Sequence, residues 1–212
     1  AEEVAEAAGV LARVAQTRLG ARVAYAQTLG QGATVLDTRG AAATEARAES
    51  IGKGWAASLT MGAGQFCTNP GIAVVVNSPA AERFITTATE ALAQVAPQTM
   101  LTDGIAAAYR DGQARMTDRP TVRPLLETQS PARAVSPNLF ETTGAEFRQD
   151  HLLGEEVFGP LGLVVRVGSV AEMLELAPGF AGQLTATIHM DDGDLTAAKQ
   201  LLPVLERKVG RL

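Results

Sequence analysis

The residue best suited to covalent chemistry in this sequence is Cys67, the single cysteine, which lies in the stretch GAGQFCTNPG at 62–71. Gly62 and Gly64 precede it, and glycine lets a backbone adopt positive φ and approach a ligand closely. A thiol with an ordinary pKa near ~8.5 is only a few per cent thiolate at neutral pH, yet it is a strong nucleophile. The turn therefore suits a nucleophilic site, with backbone N–H groups that could stabilise an oxyanion. On spacing alone, a small buried hydrophobic side chain is the alternative interpretation of Cys67.

A second stretch, EEVFGPLG at 155–162, follows the cysteine stretch along the sequence. The first stretch contains Gly-Gln-x-Cys and the second contains Glu-x-Phe-Gly-Pro. In this order the two resemble the hallmark motifs of the aldehyde dehydrogenase superfamily, in which the first carries the nucleophile. The similarity extends over about 41–212. The sequence around the cysteine, AASLTMGAGQFCTNPG, is most similar to that of the branch of the family that acts on α-ketoglutaric semialdehyde and fatty aldehydes.

The resemblance implies an NAD(P)-dependent oxidation of an aldehyde, which could be a semialdehyde, to a carboxylate. Cys67 would attack the aldehyde to give a thiohemiacetal and later a thioester. Glu156 matches the glutamate that holds the nicotinamide ribose hydroxyls in the family, and Phe158 matches the phenylalanine at the nicotinamide end. A solvated loop carboxylate is the alternative interpretation of Glu156.

The resemblance also places three neighbours of the cysteine around the pocket. These residues are Gln65, Phe66 and Asn69. For Phe66 a packing role is the equal alternative. The lone thiol forms no internal disulfide and no structural zinc pattern, and we expect no metal.

The N-terminal part of the sequence differs from the pattern of the family. Gln27 or Thr28 stands where the family has its general-base glutamate, and neither can take a proton from water as a carboxylate does. We therefore expect 1–40 to be a poorly matched segment packed on the same domain, and 41–212 to be the catalytic domain. The family binds most of NAD or NADP with a further domain that this chain has no room for. Compared with the family, we expect the chain to be truncated at both ends or divergent in its N-terminal part. We also expect it to be inactive in isolation.

Hydrophobic periodicity and helix-capping residues predict the secondary structure around these candidate site residues. Helices are predicted at about 1–19, 41–60, 78–95, 103–116, 144–150, 170–177 and 194–208, and 117–136 is read as a loop with one short strand. Strands are predicted at ARVAYA, ATVL, GIAVVVN, NLFET, LGLVVRV and LTATIHM. The alternation predicts an α/β fold with a mainly parallel sheet flanked by helices. We expect Cys67 and Glu156 to face one cleft beyond the carboxyl ends of the strands, where such sheets bind ligands.

Composition excludes several classes of function. The chain has 212 residues, 46% hydrophobic, with a net charge of −5, which argues against nucleic acid as a partner. Its apolar stretches are shorter than a bilayer span. With one cysteine and no signal peptide at the start, a cytoplasmic location is the simplest interpretation. His151 and His189 are interpreted as structural or solvated.

Three hypotheses remain open from the sequence. The first is an aldehyde dehydrogenase with a small-molecule aldehyde as partner, in a parent protein that forms homo-oligomers. The second is an inactive domain with a structural or oligomerisation role. The third is a thiol esterase that uses Cys67 without a cofactor.

Overall fold

A six-stranded, mainly parallel sheet forms the centre of the fold. The computed structural model describes residues 33–35, 41–190 and 194–212. In chain order the strands are β1 (Ala33–Val35), β2 (Ile72–Val76), β3 (Gln98–Thr99), β4 (Arg123–Leu126), β5 (Ala134–Val135), β6 (Asn138–Thr143), β7 (Leu161–Val167), β8 (Gln183–Thr185), β9 (Thr187–His189) and β10 (Val209–Arg211).

The sheet has the strand order β4-β6-β7-β2-β1-β9. Each neighbouring pair is parallel except β4 and β6, which are antiparallel. Two small sheets complete the set, a parallel pair of β8 and β10 and an antiparallel pair of β3 and β5. The predicted α/β class with a mainly parallel sheet is confirmed.

Helices cover both faces of this sheet. They are α1 (Ala41–Thr60), α2 (Pro79–Ala93), α3 (Asp103–Thr117), α4 (Gly144–Gln149), α5 (Val170–Leu176) and α6 (Leu195–Leu205). Short 3-10 turns lie at Met61–Gly64, His151–Gly154 and Ala177–Gly179.

Alternation along the central strands divides the core into two clusters. Ala73 and Val75 of β2 pack in one cluster with Trp55 of α1 and Phe84 of α2. Val74, between them, packs in the other cluster, which includes residues of α3, α5 and α6. Both faces of β2 are therefore apolar, as the continuous run of β-branched residues predicts for a buried parallel strand.

Local signals set the start of α2. The Ser78 hydroxyl accepts a hydrogen bond from the Ala81 N–H at 3.0 Å, and Pro79 is the first helical residue. Both features follow the ordinary chemistry of a helix N-terminus. The predicted start of this helix is confirmed.

Two predicted boundaries are wrong, and both depend on long-range pairing. The single strand LTATIHM is divided at Ala186, because β8 pairs with β10 while β9 pairs with β1. The loop at 117–136 contains two short strands, β4 and β5, rather than one.

The helix predicted at about 1–19, the ARVAYA strand, Gln27 and Thr28 lie outside the described residues. Within the described part of the chain, no helix is long and apolar enough to cross a membrane.

Candidate active site

The two motif loops enter neighbouring parallel strands. Cys67 lies a few residues before β2, and Glu156 lies a few residues before β7. Ile72 of β2 is paired with Leu163 of β7, so both loops lie at the same edge of the sheet. This is the amino edge, and the expectation of a site beyond the carboxyl ends is wrong. The physical reason is that both motifs precede their strands rather than follow them.

A left-handed turn carries the chain from α1 into the cysteine loop. Gly62, Ala63 and Gly64 have φ values of 56°, 59° and 67°. Such angles strain a residue with a Cβ atom, and Ala63 adopts them while buried. The turn ends α1 abruptly and delivers Cys67 to the surface, where it is exposed.

Two amide side chains hold the cysteine loop in shape. The Gln65 side-chain amide donates to the Gly62 carbonyl oxygen at 2.9 Å, and its Oε1 accepts from the Leu101 N–H at 2.8 Å. The buried Asn69 amide donates to the carbonyl oxygen of Leu59, near the end of α1, at 2.8 Å. These contacts tie the loop to α1 and to the segment before α3.

Phe66 packs over the turn and stays partly in solvent. A Cβ atom built on Gly62 would lie 2.7 Å from Cε2 of Phe66, so the ring lies directly over Gly62. The side chain is nevertheless 46% exposed. One edge of the ring therefore contacts Gly62, while much of the side chain is exposed to solvent.

The Glu156 loop is fixed against the cysteine loop by close backbone contact. A Cβ atom on Gly64 would lie 2.3 Å from the carbonyl carbon of Gly159. Gly159 itself has a φ of 146° and lies against the ring of Tyr109. The two motifs, far apart in sequence, thus meet at Gly64 and Gly159.

A small cavity of about 70 Å³ lies between the two loops. Asn69 contributes to one side, and Glu156 and Phe158 contribute to the other. The exposed Glu156 also borders an open cleft of about 740 Å³ that includes His151. The other predicted site residues do not line the cavity: Gln65, Phe66 and Cys67.

The chemistry of the Glu156 side of the site fits a nicotinamide nucleotide. Glu156 presents an exposed carboxylate, which can accept hydrogen bonds from two neighbouring hydroxyl groups. Phe158 is half-buried beside it, with an apolar ring suited to a flat heterocycle. The open cleft next to Glu156 gives room for more of such a ligand than the small cavity does.

Sequence reasoning missed Tyr109, which contacts Gly159 directly. Its side chain is 1% exposed and burial raises its pKa above the ordinary tyrosine value. The sequence offers one signal for this contact. Gly112 follows Tyr109 by three residues on α3, a spacing that puts both on one face of the helix.

Comparison with curated proteins finds sequence similarity to two semialdehyde dehydrogenases. The chain is 42% identical over 176 residues to alpha-ketoglutaric semialdehyde dehydrogenase 2 of Azospirillum brasilense, covering 81% of this chain and 33% of that protein. It is 36% identical over 173 residues to alpha-ketoglutaric semialdehyde dehydrogenase of Acinetobacter baylyi, covering 80% and 33%. The chain therefore spans about a third of the length of these relatives. No family model matches the chain.

Comparison with solved structures gives the same class of fold. The NAD-dependent benzaldehyde dehydrogenase from Corynebacterium glutamicum superposes with a TM-score of 0.66 at 20% identity, over 86% of this chain and 39% of that one. The resemblance to the aldehyde dehydrogenase superfamily and its catalytic domain is confirmed. Within that class, the more specific similarity in sequence is to the alpha-ketoglutaric semialdehyde dehydrogenases.

Proposed function

We propose that this chain carries the nucleophile and part of the cofactor site of an NAD(P)-dependent aldehyde dehydrogenase. The observation that carries the proposal is the contact of Gly64 with Gly159, which joins the loop of an exposed cysteine to the loop of Glu156. Residues 41–212 form the catalytic part, and the rest of the cofactor site lies outside it. The parent protein is a homo-oligomer in this proposal.

Cys67 acts as the nucleophile in this proposal. Its thiol loses a proton and the sulfur adds to the aldehyde carbon, which gives a thiohemiacetal. A bound nicotinamide cofactor would be the oxidant that accepts a hydride from that carbon, while the hydroxyl proton of the thiohemiacetal would pass to water. Cys67 then holds the acyl group as a thioester, and water breaks the carbon–sulfur bond to release the carboxylate and the free thiol.

Glu156 and Phe158 orient the cofactor from the other loop. The Glu156 carboxylate would accept hydrogen bonds from the ribose hydroxyls of a bound cofactor, and the Phe158 ring would pack at its nicotinamide end. Charge-assisted hydrogen bonds of this kind contribute about 1.5–3 kcal/mol each before ordering costs. Gln65 and Asn69 hold the cysteine loop in place, and the exposed Phe66, which precedes Cys67 in the sequence, would border the substrate entrance.

The names of the relatives reported above support a proposal for the substrate class. Both have names that specify alpha-ketoglutaric semialdehyde, and identity to one of them reaches 42%. We therefore propose a short semialdehyde with an acidic end as the substrate.

Initial rates of NAD(P)H formation test the proposal in the full natural protein. We expect oxidation of alpha-ketoglutaric semialdehyde, loss of the reaction in Cys67→Ser, and a KM for the cofactor raised about 10- to 100-fold in Glu156→Gln. Glu90→Gln is the control, since Glu90 is an exposed glutamate on α2. No cofactor-dependent oxidation of any aldehyde, with steady ester hydrolysis in its place, would favour the esterase hypothesis.

A further inference from the structure

Helix α3 touches the Glu156 loop at two points on one face. A Cβ atom on Gly159 would lie 2.3 Å from Cδ2 of Tyr109, and a Cβ atom on Gly112 would lie 2.5 Å from Cγ1 of Val157. Tyr109 and Gly112 are three residues apart, so they lie on the same face of the helix. The loop that carries Glu156 therefore rests directly on α3.

Hydrogen bonds reinforce this contact around the Tyr109 hydroxyl. The hydroxyl lies 2.8 Å from the Ser136 carbonyl oxygen and 3.3 Å from that of Pro160, and it accepts from the Asn138 side-chain amide at 2.9 Å. The Asn138 backbone N–H donates to the same Pro160 oxygen at 3.0 Å. A tyrosine phenol is protonated at neutral pH, and burial raises the pKa of Tyr109 further, so its hydroxyl is a donor there.

The segment before α3 holds the cysteine loop. The Leu101 N–H donates to Oε1 of Gln65 at 2.8 Å, and Gln65 is two residues from the thiol. The guanidinium of Arg133 donates to the carbonyl oxygen of Met100 at 2.8 Å, which fixes this segment in turn. The helix and its leading segment thus contact both loops of the site.

On the basis of the proposed function, we propose that Tyr109 is a positioning residue that sets the place of Glu156 and Phe158 relative to Cys67. Its ring supports Gly159, and its hydroxyl completes the hydrogen bonds around Pro160. Tyr109 does not line the cavity between the loops, so it acts through the loop backbone. The rival explanation is that Tyr109 is a core residue whose loss lowers stability everywhere.

Hydrogen–deuterium exchange and steady-state kinetics of the full natural protein separate these explanations. We expect Tyr109→Phe to raise the KM for the nicotinamide cofactor about 2- to 10-fold, with a smaller change in kcat. Tyr109→Leu, which also removes the ring, should have a larger effect. In both variants, amide exchange should rise in the peptide that covers 155–161 and stay unchanged in that of β2.

Phe84→Leu is the matched control. Phe84 is a fully buried aromatic residue in the cluster on the opposite face of the sheet, against Trp55. This variant should lower the melting temperature and leave the cofactor KM unchanged. An equal KM in the Tyr109 variants and the wild type, or a rise in exchange spread over β2 and α2, would overturn the positioning role.

The exchange measurement also separates this proposal from the proposed function. If the wild-type protein oxidises no aldehyde, the proposed function fails. A local rise in exchange at 155–161 in the Tyr109 variants would then still support the role of Tyr109 in holding that loop, and a global rise would refute it.

Discussion

Gly64 and Gly159 touch backbone to backbone. A Cβ atom on Gly64 would lie 2.3 Å from the carbonyl carbon of Gly159 and 2.5 Å from its oxygen. Both residues also have positive φ, at 67° and 146°, in regions that side chains disfavour. Each glycine comes from one of the two sequence motifs, so the motifs are spatially coupled through residues that cannot carry a side chain.

Gly64→Ala should destabilise the protein and disconnect the two loops. The new methyl group would collide with the Gly159 backbone, and a non-glycine residue at that φ costs about 1–3 kcal/mol by strain alone. We expect a free energy of unfolding lowered by more than that range and a loss of aldehyde oxidation. Denaturant unfolding followed by circular dichroism would measure the first effect.

Gly54→Ala is the control for this substitution. Gly54 lies within α1, and among the described residues no atom other than those of its chain neighbours and the helix backbone lies within 4 Å of a Cβ built there. Alanine should stabilise the helix by about 0.5–1 kcal/mol. Similar stability of the two alanine variants would show that the contact between Gly64 and Gly159 is not tight.

The Cys67 thiol should react with iodoacetamide in the folded protein. It is exposed, as its place in a glycine-flanked loop predicts. Peptide mass mapping would find carbamidomethylation in the tryptic peptide that covers 54–83, and Cys67→Ser should abolish it. Labelling of this peptide only after denaturation would contradict an accessible nucleophile.

Acid should lower the stability of the folded protein partly by protonating Glu82. The guanidinium of Arg166 donates to both Glu82 and Glu141, and its hydrogen bond to Glu82 holds the pKa of that carboxyl below its ordinary value. A lowered pKa in the folded state gives stability that is present above the ordinary glutamate pKa of about 4.3. That stability is lost as the pH falls through the lower, folded-state value.

Glu82→Gln should therefore reduce the fall in melting temperature between about pH 5 and pH 3. Thermal unfolding at a series of pH values measures this slope. Glu90→Gln, an exposed glutamate on the same helix, should leave the slope unchanged. If both variants kept the wild-type slope, the pair of Glu82 with Arg166 would have no measurable part in acid stability.

Elements with local signals were predictable from the sequence. The bounds of α1 and the start of α2 at Ser78 follow from composition and capping, which act between neighbouring residues. The strand β2 follows from a run of apolar residues that only a sheet buried on both faces accommodates. The exposed position of Cys67 follows from the turn residues around it.

Features that depend on distant pairing were not predictable. The division of LTATIHM at Ala186 depends on β10, whose Arg211 carbonyl oxygen accepts from the Ala186 N–H at 2.9 Å. The contact of Tyr109 with Gly159 joins segments that share no local pattern. The candidate site lies at the amino edge of the sheet, unlike the usual carboxyl-edge position of ligand sites, because both loops precede their strands.

In the proposed reaction, Cys67 carries the acyl group during aldehyde oxidation. The most direct measurement is acid quenching of the full natural protein during turnover with alpha-ketoglutaric semialdehyde and NAD(P)⁺, followed by mass mapping. We expect the peptide covering 54–83 to gain the mass of the acyl group only when aldehyde and cofactor are both present, and the Cys67→Ser variant to gain none. Steady NAD(P)H formation by Cys67→Ser at the wild-type rate, or an acyl group on another residue, would contradict it.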